Sequence, residues 1–254
     1  MTDDPTEDTM PLEDYLAEGG VLTNPTNVPP RYRAELLKIM AIFVDSTLAG
    51  AAGFADTIND GPGIKERIAA AKIVMEKTDN ADRVLRLMGE FGADTSRYAT
   101  EHPWAARLDR DAPLGTGPGE HDMRLPVFNY PLRGWTDAVV MNLIQGSAAC
   151  VQVGELSRIS YQPLAEAFRA IAPVEAAHLR LAEEGIPRLD PQAATRAIAY
   201  WWPRVRAGFG EDRPERFDAL KDMGLRHRPN SELVDAWEHD CARRLKALGL
   251  PAAS

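Results

Sequence analysis

An all-α fold follows from three features of this sequence. Apolar residues recur at alternating spacings of three and four along several long segments, which lays a stripe down one side of a helix. No segment sustains the every-second-residue alternation of a half-buried strand. Glycine and proline clusters interrupt the chain at intervals long enough for multi-turn helices.

Residues 1–30 are rich in acid, proline and turn formers, and are expected to form an arm laid over the body or over a partner. Residues 31–254 are expected to form a single helical domain. Its first long helix begins near Arg31 and carries Leu36, Met40, Phe43, Thr47, Ala51 and Phe54 on one face, until Asn59-Asp60-Gly61-Pro62-Gly63 stops it. A second helix runs from Ile64 to about Phe91. The irregular stretch 93–134 contains Pro103, Pro113, Gly115, Gly117, Pro118, Gly119, Pro126 and Pro131. A connection of that length is packed or functional in a compact domain, and here it is expected to cover a pocket mouth. A third helix begins near Trp135, with Thr136 as its cap, and runs to about Arg158. The fourth spans about Tyr161 to Glu184, where Gly185-Ile186-Pro187 breaks it. Shorter helices are expected over Pro191–Gly208, Pro214–Asp222 and Ser231–Leu248.

Composition narrows the function classes. The 254 residues carry 29 Lys and Arg against 38 Asp and Glu, a formal charge of −9, and two cysteines. No basic cluster longer than Arg243-Arg244 is available to neutralise phosphates, which argues against nucleic-acid binding. Cys150 and Cys241 are too few for a disulfide framework or a thiolate zinc site. The acidic first twenty residues lack an apolar core, so no secretory signal is read there. The most apolar run, Ala138 to Leu156, contains Asn142, Gln145, Ser147 and Gln152, and reads as a buried helix rather than a membrane span. A cytoplasmic protein is expected.

Two long helix pairs joined by a long crossover are the topology of ferritin-like four-helix bundles, whose cores hold metals through carboxylates and Glu-x-x-His pairs. The fourth helix has such a pair, Glu175 and His178, next to the apolar Ile171-Ala172-Pro173-Val174. The second has Glu76 with Asp79 in place of the histidine; Lys72 and Arg83 are also placed to pair with these two on a solvated face. The first and third offer only Thr47 and Gln145 on their inward stripes, with Asp45 off the face. Neither Thr nor Gln is an anionic ligand, so a standard two-iron site cannot be assembled. The metal candidates are therefore Glu76, Asp79, Glu175 and His178. Cys150, in an apolar run, reads as packing. His102, His121, His227 and His239 have no recognisable partner. Arg226-His227-Arg228 is a basic surface turn with the chemistry to meet an anionic group. Gly115–Gly119 lacks the strand-to-helix context of a phosphate loop.

Several short segments follow in order along the chain: Phe128-Asn129-Tyr130-Pro131 ahead of Trp135-Thr136-Asp137, Gly146–Ala149, Ser160-Tyr161-Gln162-Pro163, Glu175–His178, Trp201-Trp202-Pro203, Phe209-Gly210 and Asn230-Ser231-Glu232-Leu233. Together they resemble the phenylacetate-catabolic ferritin-like family, on the side of the oxygenase (A) subunits of phenylacetyl-CoA ring epoxidases. The resemblance implies a di-iron monooxygenase component acting on an aromatic acyl-CoA, beside a metal-free sibling of the same fold and a reductase. Where the family carries His-Ser-Glu on the first helix, this chain has Asp45-Ser46-Thr47. On the second, Asp-Glu-Ala-Gly-His is replaced by Met75-Glu76-Lys77-Thr78-Asp79, and on the third, Asp-Gly-Ala-Ala by Gln145-Gly146-Ser147-Ala148. Two outcomes are open. One is an altered oxygenase with a single iron held by Glu76, Asp79, Glu175 and His178. The other is a metal-free, non-catalytic structural or regulatory partner, in which Lys77 or Arg83 turns inward to pair with Glu76 or Glu175. Either is expected to associate with a homologous subunit or with copies of itself.

Overall fold

The computed structural model describes residues 10–99, 104–116 and 122–251. Among these the helices are α1 (Leu12–Ala17), α2 (Pro30–Thr57), α3 (Ile64–Glu90), α4 (Ser96–Ala99), α5 (Gly134–Leu156), α6 (Gln162–Gly185), α7 (Pro191–Ala207), α8 (Pro214–Asp222) and α9 (Asn230–Ala247). No strand occurs among the described residues; a lone bridge joins Leu22 to Tyr161.

The long helices α2, α3, α5 and α6 form the bundle. α2 packs along α3, α5 along α6, and α3 against α6, whereas α2 and α5 barely touch and leave a seam between them. α7 and α9 pack on α5. This explains the near-continuous apolar character of α5: with neighbours on most sides, every residue from Asp137 to Ile144 is buried. One part of the core joins Leu36, Met40 and Val44 of α2 to Val84 of α3 and Phe168 and Ile171 of α6. The other joins Leu143 and Ile144 of α5 to Trp201 of α7 and Trp237 of α9. The Trp237 indole N–H donates to the Ile144 carbonyl at 3.1 Å and to Ser147 Oγ at 2.9 Å, so this buried polar atom is satisfied.

Two helix starts differ from expectation. α5 begins at Gly134, whose φ of +74° suits glycine, and Asp137 rather than Thr136 accepts the Arg133 N–H, at 2.9 Å. α9 begins at Asn230, one residue before the expected Ser231, and the Ser231 N–H is taken by Asp212 Oδ1 at 3.1 Å. Within α6, Pro173 removes one backbone donor. Both Pro173 and Arg169, whose carbonyl loses its partner, are exposed, so water can satisfy the freed group.

The crossover is fastened to α2 by polar side chains. The buried Asp45 accepts from Tyr98 Oη at 2.8 Å and from the Met123 N–H at 2.9 Å, and Ser46 Oγ accepts the Leu125 N–H at 2.9 Å. Arg110, from the same segment, pairs with Asp137 and stacks 3.8 Å from the Tyr200 ring, against which Arg204 stacks at 3.6 Å. From Met10 onward the N-terminal arm lies on the body, where Leu22 is buried and its carbonyl takes the Gln162 N–H at 2.9 Å.

Candidate functional site

The inward face of α6 is set by Leu164, Phe168, Ile171, Glu175, His178 and Ala182, a run of alternating three- and four-residue steps. Glu175 and His178 lie on that stripe and are 3% and 0% exposed, so the bundle places a carboxylate and an imidazole where aliphatic side chains would otherwise sit. Burying them requires partners. These come from α3, whose buried stripe runs through Ala70, Ile73, Asn80, Val84 and Met88 and passes through position 77.

Lys77 turns inward. Its Nζ donates to Glu175 Oε2 at 3.0 Å and Oε1 at 3.2 Å. Burial alone would raise the Glu175 carboxyl, but the Lys77 ammonium, joined by the nearby His178 ring, outweighs it and holds the group at about 2. Glu76 sits at the border of the stripe, where it accepts from His178 Nε2 at 2.9 Å while its other oxygen lies 3.7 Å from Lys72. Nδ1 of His178 faces Glu175 Oε2 at 3.8 Å and has no hydrogen-bond partner among the described residues.

The structure thus brings Glu76, Glu175 and His178 together and leaves Asp79 out, exposed on the outer side of α3. Thr47 and Gln145 line a cavity of about 490 Å³ above the Lys77–Glu175 pair, within the α2–α5 seam. Leu125, Pro126 and Phe128 of the crossover also line it. Cys150 is half-buried, and burial pushes its thiol up to about 11, which is poor for a nucleophile. His227 and His239 are exposed; His102, His121 and Gly117–Gly119 lie outside the described residues.

Residues 10–253 match the model of the family described as phenylacetic acid catabolic protein. The chain belongs to this family. It is also similar to the A subunit of the 1,2-phenylacetyl-CoA epoxidase of Escherichia coli (strain K12), with 24% identity over 247 residues that cover 94% of this chain and 75% of that protein. The fold agrees: this member of the family is an all-α, ferritin-like bundle with extra helices following it.

The two-iron set implied by the resemblance does not fit these residues. Such a centre draws anionic ligands from all four bundle helices, but α2 and α5 present Thr47 and Gln145. Both Glu175 oxygens are already held by an ammonium, a charge that repels a cation at the same place. His178 separates the two carboxylates, with Glu76 at Nε2 and Glu175 on the Nδ1 side, so the three do not converge on one point through a single ring nitrogen. Among the described residues no group of three or more His, Cys, Asp or Glu has metal-binding geometry. Sequence spacing leaves Lys77 and Arg83 both open as the cation that turns inward. The signal that decides between them is the α3 stripe, which takes in 77 and leaves both 79 and 83 off it.

Proposed function

We propose that this chain is a metal-free, ferritin-like partner subunit of an epoxidase-like oxygenase complex, retaining the fold and subunit contacts of the family without the redox chemistry. The observation that carries the reading is the ion pair of Lys77 with Glu175 at the centre of the bundle. It supplies the positive charge that a buried carboxylate requires, in the place where the resemblance leads one to expect a metal. The epoxidase relative is by name one subunit of a larger enzyme, which supports an assembly role. A cytoplasmic location is part of the same proposal.

A second reading, an oxygenase component with a single iron, is favoured by the closeness of Glu76, Glu175 and His178. It requires Lys77 to withdraw and both carboxylates to reorient around the imidazole. Elemental analysis of the purified chain, after incubation with ferrous iron and desalting, separates the two. Iron well below one atom per chain together with co-purification of a second ferritin-like subunit is the expected result. Iron at one per chain, lost in His178→Ala, would overturn the metal-free reading.

A further inference from the structure

The seam between α2 and α5 is hollow, and its walls are apolar: Ile39, Ile42 and Phe43 from α2, Leu156 from α5, Phe217 and Leu220 from α8. At about 490 Å³ it has the size of a small-molecule site. Its charged lining is four cations, Lys77, Arg213, Arg216 and Arg226, against three anions, Glu175, Glu211 and Asp212. Lys77 is matched by Glu175, and Arg216 by Glu35 at 2.9 Å.

Among the described residues neither Arg213 nor Arg226 has such a match, but Arg213 is exposed whereas Arg226 is half-buried. The Arg226 guanidinium donates to the neutral Asn230 Oδ1 at 2.5 Å and forms no ion pair among the described residues. The buried carboxylate nearby, Glu155, is already occupied by Arg158 at 2.5 Å, Arg228 at 3.5 Å and the N–H groups of His227 and Arg228 at 2.5 and 3.1 Å. The shortage of water around Arg226 lowers its pKa, although an arginine stays charged. A half-desolvated guanidinium opening into an apolar cavity attracts a carboxylate, whose two oxygens match its planar fork. Glu211 and Asp212 on the lining repel any anion, and a more highly charged one more strongly than a monocarboxylate.

We propose that this cavity is a binding site for a small amphipathic monocarboxylate, with its carboxylate on Arg226 and its apolar body between α2, α5 and α8. Such a site lies beyond the partner role: the ligand bound by the chain is a free acid, not a thioester. It needs no metal and no redox step.

The test is calorimetry on the intact, EDTA-treated chain with 4-phenylbutanoate, its neutral amide 4-phenylbutanamide, and 4-phenylbutanoyl-CoA. The acid is expected to bind at one per chain and about tenfold or more tighter than the amide, the size of one charged hydrogen-bonded contact. Arg226→Gln should bring the acid down to the affinity of the amide, and Ala149→Phe, which fills the cavity wall, should abolish binding of both. Thermal melts report whether each variant is folded. If Arg226→Gln does not fold, Arg226→Lys keeps the charge, loses the fork, and should lose most of the acid preference. Equal binding of acid and amide, no binding of either, a preference that survives Arg226→Gln, or tighter binding of the thioester would each overturn the proposal.

Discussion

The Lys77 ammonium reaches from α3 to α6 and lies 3.0 Å from Glu175 Oε2 and 3.2 Å from Oε1. Side-chain exposures of 13% and 4% place the pair in the interior, where each charge depends on the other. Removing one partner of such a pair costs far more than removing both.

Lys77→Met should therefore destabilise the protein by about 3–5 kcal/mol, whereas Lys77→Met combined with Glu175→Leu should recover most of that loss. Urea unfolding of the two variants against the parent chain measures both quantities. A double variant as unstable as the single one would mean that the pair is not what holds α3 to α6.

The same carboxylate gives the protein a pH dependence of known sign. Glu175 is held at about 2 in the folded chain against an ordinary 4.5, so its depressed folded value contributes stability that is present in full above about 4.5. That contribution, of the order of 3 kcal/mol, is lost as pH falls from about 4.5 towards about 2. The stability difference between the parent and the Lys77→Met, Glu175→Leu double variant should be flat from pH 7 to about 5 and change below it. Chemical denaturation across that range is the measurement.

Most of the bundle was legible because a helix stripe and a Gly/Pro break are local signals. Ile64, Gly92 and the Gly185-Ile186-Pro187 break bound their helices within a residue or two of the structure. The convergence of Glu175 and His178 was legible too, since both fall on the apolar stripe of α6. Asp79 was not correctly placed by spacing alone. Glu76 and Asp79 are a turn apart and share a helix side, but that side is the rim of the buried stripe rather than its centre. The cavity had no local signal, because it arises from two helices distant in sequence failing to meet. Likewise the Arg226-His227-Arg228 turn reads as surface until Glu155 is seen to occupy its backbone and Arg228.

Tyr200 is the point where the crossover and α7 are pinned together. Two guanidiniums stack on its ring, and its hydroxyl donates to the Arg110 carbonyl at 2.8 Å. Tyr200→Leu should cost about 1–3 kcal/mol, more than Tyr200→Phe, which keeps the ring and loses only the hydrogen bond. Thermal or urea melts of the two variants rank them, and equal losses in the two would show that the hydroxyl, not the ring, carries the contact.

Asp45 holds the crossover from the other side. Asp45→Ala leaves the Tyr98 hydroxyl and the Met123 N–H without their acceptor and should destabilise by about 1–3 kcal/mol. The effect should be local. Limited proteolysis is expected to accelerate between residues 93 and 125 before the bundle melts, and uniform cleavage along the chain would contradict this.

The backbone clasp between Leu22 and Gln162 ties the beginning of the chain to the middle of it. The first amides of any helix have no acceptor within their own coil, and here the incoming arm supplies one of them. Trimming the chain back past Leu22 would thus open the leading turn of α6 to solvent exchange. The loosening would begin several turns from Glu175, so deuterium uptake at Gln162 would register the loss of the arm before the centre of the bundle did.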